Sequence, residues 1–177
     1  MKLRNIVLAV SGVISAVSVA HAAIVEGGTV RFNGNVVAAP CAVASESIDQ
    51  VIEIGQVTTS QFTAAGQKAN NNKPFSIKLM NCSDSVSGTA TVAFNGAQDR
   101  DNPTLLQVGQ GADAASGVAL GLYESNGNLL NIGDQSRPVT LRPGQVEFNF
   151  MADYVSTQAN VTAGDASGVA TFSITYA

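Results

Sequence analysis

The chain has 177 residues, 45% of them apolar and only 12% charged, which is too apolar for a disordered segment and the right length for one domain. Thirteen acidic residues outnumber nine basic ones. With no basic stripe, the chain lacks what binding to nucleic-acid phosphates requires.

The first segment reads as a targeting signal. Lys2 and Arg4 give a positive start, Ile6 to Val19 is an apolar run interrupted only by Ser and Gly, and Ala20-His21-Ala22 supplies a small-x-small cleavage pattern. The apolar run is too short for a transmembrane anchor, and no later stretch is long or apolar enough to span a bilayer, so no stable membrane insertion is expected. Cleavage after Ala22 leaves a mature chain of 155 residues with seven basic and thirteen acidic side chains. His21, the single histidine, departs with the signal.

Thr29 to Val37 alternates, with Val30, Phe32, Gly34 and Val36 on one face and Arg31, Asn33 and Asn35 on the other. That is the period of a half-buried strand. A second apolar stretch, Val36 to Ala44, follows with no turn between. Pro40 cannot donate to a ladder, so this stretch is an edge strand or contains a bulge or sheet switch. The line from Val30 to Ala44 is longer than a small sandwich usually carries.

Val51 to Val57 reads as a third strand, and Thr58 to Gly66 as one short helical turn. Phe75, Ile77 and Leu79 mark a fourth strand. Ala90, Val92 and Phe94 share a face, as do Val118, Leu120 and Leu122. Asn126-Gly127, between Leu122-Tyr123 and Leu129-Leu130, predicts a hairpin with a type I′ turn. Val146, Phe148 and Phe150 form a late strand. The chain closes on Ala170, Phe172, Ile174 and Tyr176, with Thr171, Ser173 and Thr175 facing away. Gly109 to Gly117 and Thr157 to Gly168 read as loops. Many short strands with turn punctuation and no long amphipathic helix predict an all-β sandwich or barrel.

Cys41 and Cys82 are the two cysteines. In an exported chain they are expected to pair. The loop closed is worth roughly 4 kcal/mol by chain entropy. A metal site would lack further ligands, because no histidine or third cysteine remains.

A last strand with nothing after Ala177 to cover its outer edge is an aggregation hazard unless something pairs with it. A long N-terminal strand that overshoots would meet that need in a neighbouring copy, by strand addition. The alternation of Val30 to Val36 fits equally an ordinary first strand packed in its own domain.

The start GGTVRFNGNVVAAPCAV, the segments IDQVIEIGQVTTSQF and PFSIKLMNCS, and the ending ATFSITYA resemble type 1 fimbrial major subunits of the chaperone–usher pathway. Tyr176, one residue from the end, and Gly164, fourteenth from the end, match two further marks of that family. The resemblance implies an incomplete immunoglobulin-like β-sandwich that lacks its last strand and carries an N-terminal donor-strand extension. It divides the chain into a signal peptide at 1–22, the extension at 23–36 and a pilin domain at 37–177.

By the same resemblance, Val30, Phe32, Gly34 and Val36 become the donor-strand positions. Gly164, Ala170, Phe172, Ile174, Tyr176 and Ala177 become the edge presented first to a periplasmic chaperone and then, at an outer-membrane usher, to the next subunit. The implied partners are identical or homologous pilin subunits, the chaperone and the usher. The implied destination is the cell-surface fimbrium, reached through the periplasm.

Catalysis is not expected. The mature chain has no histidine for a catalytic triad or an imidazole metal site, and no cofactor is implied. Asp99 and Asp101 sit beside Arg100 and Pro103 in a surface turn rather than an acid–base pair. Asn160-Val161-Thr162 matches a glycosylation sequon of little weight. A sugar-binding tip adhesin would need an additional lectin domain, for which this chain has no room, and the chain has no Trp. The alternative kept open is a minor or adaptor subunit rather than the major shaft subunit.

Overall fold

The structure is a computed structural model that describes residues 27–34, 36, 38–83 and 88–177. The signal segment and its cleavage site lie outside the described residues, as do Asn35 and Val37 of the first expected strand. Contacts divide the chain into two units, Met1–Val36 and Val37–Ala177. In the first unit, residues 27–34 and 36 carry no regular secondary structure, and Val30, Phe32 and Val36 are exposed.

Among the described residues of the second unit, nine strands form two sheets. They are β1 (Ala42–Val43), β2 (Lys73–Cys82), β3 (Thr89–Gly96), β4 (Leu106–Gln107), β5 (Val118–Glu124), β6 (Leu129–Leu130), β7 (Val139–Thr140), β8 (Gly144–Ser156) and β9 (Ala170–Tyr176). The larger sheet runs β1-β2-β8-β5-β4, with β6 also pairing β5, and the smaller runs β7-β3-β9. All of these pairings are antiparallel.

The two sheets share one core, as period-two patterning requires. Ile77, Leu79, Val146, Phe148 and Phe150 come from the larger sheet, and Ala90, Val92 and Phe94 from the smaller. Phe94 meets Phe150 edge-on at 4.9 Å between centroids, and Phe75 joins both at 5.7 and 5.6 Å. Each fully buried apolar side chain of this kind contributes roughly 1.5–3 kcal/mol.

Three sequence expectations are corrected. Val51 to Val57 is not a strand: the segment makes no ladder, and Asn71 Nδ2 donates to Ile54 O while Ile54 and Val57 pack on the core. Among the described residues of Val36 to Ala44, only Ala42–Val43 forms a strand, because Pro40 lies in a bend just before it. The hairpin after β5 exists with the expected partners, Leu122 opposite Leu130 and Tyr123 opposite Leu129. Its turn, however, is not type I′. Glu124 N–H donates to Asn128 O across a three-residue loop, and only Gly127 takes a positive φ, of 84°.

The expected turn within Thr58 to Gly66 is present as a 3-10 turn, Thr59–Gln61. The second half of β8 departs from alternation, with Ala152 to Ser156 buried on both faces. Its outer face is covered by a small cluster of Leu105, Ala119, Tyr123 and Val155, with Met151 against it. Residues 66–69 also pair along its edge, where Gly66 N–H donates to Ser156 O and Ala69 N–H to Tyr154 O.

Candidate strand-acceptor groove

Strand β9 pairs with β3 along its whole length, from Ala90 opposite Tyr176 to Gly96 opposite Ala170. Among the described residues no strand pairs its other edge. Alternation then sets its chemistry. Thr171, Ser173 and Thr175 face solvent, whereas Ala170, Phe172, Ile174 and Tyr176 pack on the core yet remain half-buried. Apolar side chains that touch a core without being covered mark a place where the sandwich is open.

The opposite margin belongs to the larger sheet. Residues 42–50 run antiparallel along the β2 edge that β8 leaves free. After β1, Ala44 N–H donates to Lys78 O, and the Ser47 hydroxyl receives Lys78 N–H at 2.9 Å. Gln50 Nε2 donates to Ser76 O at 2.8 Å, and Asn71 Nδ2 to Ile54 O at 2.7 Å. Val43, Ile54, Val57 and Phe75 are half-buried against the same core as the β9 row. Two half-buried apolar margins, one per sheet, bound the candidate groove.

The groove is closed at one end. The Tyr176 hydroxyl donates to Cys41 O at 3.2 Å, and burial pushes its phenol above the usual tyrosine value. Cys41 and Cys82 form the expected disulfide, tying the start of β1 to the end of β2, and both are buried. Ala177 exchanges two backbone bonds with Thr89, at 2.8 and 2.9 Å, so the chain end is docked beside β3. Gly88, at φ 106°, lets this happen, since a Cβ there would collide with Ala177 O.

Gly164 does not lie on the β9 edge. It sits in a clasp between the loops 109–117 and 157–168, where Ala115 N–H donates to Asp165 O at 2.9 Å and Asp165 N–H to Asp113 O at 2.8 Å. A Cβ at Gly164 would strike the backbone of Asp113, Ala114 and Ala115. Its glycine identity therefore answers to loop packing. Both loops were legible as loops, but not their attachment to each other.

Asp99 and Asp101 hold a surface turn. Asp99 Oδ1 receives the N–H groups of Asp101 and Asn102, and Asp101 Oδ2 receives Gln158 Nε2. Around Gly34 nothing lies within 4 Å of a Cβ position, so this fold gives no steric reason for the glycine.

Comparison with known proteins gives consistent results. A family model described as fimbrial protein matches residues 30–177. Long polar fimbria protein A of Salmonella typhimurium is 35% identical over 98% of this chain and 97% of its own length. Among solved structures, a chaperone–usher pilus described for its rod uncoiling shares 29% identity at a TM-score of 0.71, covering 89% of this chain and all of that one. A Burkholderia pseudomallei antigen and type I fimbria protein shares 36% identity at a TM-score of 0.61, over 78% of this chain and 90% of that one.

Proposed function

The chain belongs to the fimbrial protein family, and from that premise we propose that copies of it polymerise by strand donation into the fibre shaft. It is a structural subunit of a chaperone–usher fimbria at the cell surface. The observation that carries the strand-donation reading is the outer edge of β9, which no strand pairs among the described residues, with its half-buried row of Ala170, Phe172, Ile174 and Tyr176.

An extended segment from a neighbouring copy satisfies that edge in two ways. Its backbone supplies the missing ladder, and its apolar side chains cover the half-buried row. Val30, Phe32 and Val36 suit the second task, each worth roughly 1.5–3 kcal/mol when buried. All three are exposed in the chain as it stands. Residues 1–22 serve as the export signal in this reading, and a periplasmic chaperone occupies the groove until the usher brings the next subunit.

The family's relatives are structural proteins, and the reading is accordingly non-enzymatic. As a shaft subunit, this protein supplies length and strength to the fibre. Deleting residues 23–36 tests strand donation: the truncated subunit should fold and bind chaperone but form no fibres, and fibre assembly by the truncation would overturn the reading. Electron microscopy of cells lacking the protein tests its rank. Loss of the shaft marks a major subunit, and altered fibre number or length a minor one.

A further inference from the structure

Asp153 is fully buried, and its two oxygens receive Asn70 N–H at 3.0 Å and Asn71 N–H at 3.1 Å. These amides lie where the chain leaves the β8 edge. Lys73 still pairs with Ala152, Lys68 bridges to Val155 and Ala69 N–H donates to Tyr154 O, but residues 70–72 leave the ladder around Asp153, with Asn70 at a positive φ of 57°. The carboxylate thus stands in for the interrupted ladder. Asn71 carries the connection onward, because its side chain donates to Ile54 O at 2.7 Å. Ile54 belongs to the groove margin, in a segment with no ladder of its own.

We propose that Asp153 is a positioning residue for the groove: through Asn71 it fixes the 51–57 margin at the height a donated strand requires. The proposal rests on the strand-acceptor reading above. A buried carboxylate bonded to two N–H groups is costly to disturb, since removing it takes the partner from both donors at once. Among the described residues, the other side-chain and backbone tethers of this margin, at Ala44, Ser47 and Gln50, all lie before residue 51. Without the Asp153–Asn71 link, Ile54 loses its hydrogen bond and the margin is left with its half-buried apolar packing alone.

The test uses the oxidised mature chain and a fluorescein-labelled synthetic peptide of residues 27–38, followed by anisotropy. Asp153→Ala and Asn71→Ala should each weaken peptide binding roughly tenfold. Their combination should be no worse than either alone, because they break one chain of bonds. Ser136→Ala is the control. It removes a buried bond to Val92 N–H in the smaller sheet and should lower stability without touching peptide affinity.

Equal affinity in Asp153→Ala and Ser136→Ala would overturn the proposal. Should Asp153→Ala fail to fold, Asn71→Ala, which keeps the carboxylate and both of its backbone donors, decides alone. Should the unsubstituted chain take up no peptide, the strand-acceptor reading falls instead. The relay is then judged by 15N relaxation, in which unchanged order of residues 51–57 in Asn71→Ala would rule it out.

Discussion

The Tyr176 hydroxyl donates to the carbonyl oxygen of Cys41 at 3.2 Å, so the last strand of one sheet is bonded to the disulfide that anchors the edge of the other. The bond fixes the separation of the groove margins at one end. Tyr176→Phe keeps the ring and removes the bond. The expected cost is about 1 kcal/mol, or roughly 3 °C in Tm for a chain of this size. Tyr176→Ala also removes half-buried apolar surface and should cost more, with a matching loss of chaperone-bound subunit. Thermal denaturation of the two variants, with pull-down by the chaperone, checks both effects.

Reducing or removing the Cys41–Cys82 bond should cost roughly 4 kcal/mol in a denaturant titration, the chain-entropy value for the sequence separation of 41. The damage should not be uniform. Cys41 is both the root of β1 and the acceptor for Tyr176, so the groove end loosens first. A Cys41→Ser, Cys82→Ser double variant should therefore lose Tyr176 protection in hydrogen exchange at β9 before the β5–β8 pairing is affected.

Alkaline pH provides a third test. Burial, reinforced by the Asp153 carboxylate, pushes the Tyr123 phenol from its ordinary 10.0 up to about 12, while Lys68 Nζ lies 3.7 Å over its ring. The folded state thus holds the proton more tightly than the unfolded chain does. The contribution is fully present below pH 10 and is lost as the pH rises from about 10 to about 12. Tyr123→Phe should flatten the stability curve in that window. Some slope should survive, because Tyr154 and Tyr176 are also raised by burial.

Gly164→Ala separates a packing role from a groove role. The added methyl meets main-chain atoms of residues 113–115, which cannot swing aside like the end of a flexible side chain. A loss of about 1–3 kcal/mol is expected from such overpacking. Affinity of the folded fraction for a donor-strand peptide should be unchanged. A selective loss of peptide affinity, with stability intact, would return Gly164 to the groove edge.

How far the sequence could be read follows from where period two operates. In β9 and β3 one face is core and the other solvent, and there the alternation of Phe172, Ile174 and Tyr176 matches the observed pairing residue for residue. Asp153 was illegible for the opposite reason: β8 is buried on both faces at that point, so alternation disappears. Ile52 and Ile54 alternate like a strand, but Ser47, Gln50 and Asn71 supply by side chain what a ladder would supply by backbone, and no local pattern distinguishes the two. The Asn126-Gly127 pair located a hairpin correctly but misjudged its turn, because Ser125 adds a third residue to the loop.

Gly34 provides the sharpest separation of fold from assembly. In this chain a Cβ at Gly34 meets nothing within 4 Å, and its φ is not one that only glycine tolerates. Gly34→Val should therefore leave the stability of the subunit within about 0.5 kcal/mol, as for an ordinary surface substitution. In a neighbour's groove the same position would lie against β9 and the facing margin, where extra volume has to be accommodated by packed side chains. Polymerisation should slow or stop, with the subunit remaining folded and chaperone-bound. The measurement is fibre yield by electron microscopy against Tm of the purified subunit. If Gly34→Val assembled at the normal rate, donation through this stripe would have to be abandoned. If it unfolded the subunit, Gly34 would instead be packed within its own chain.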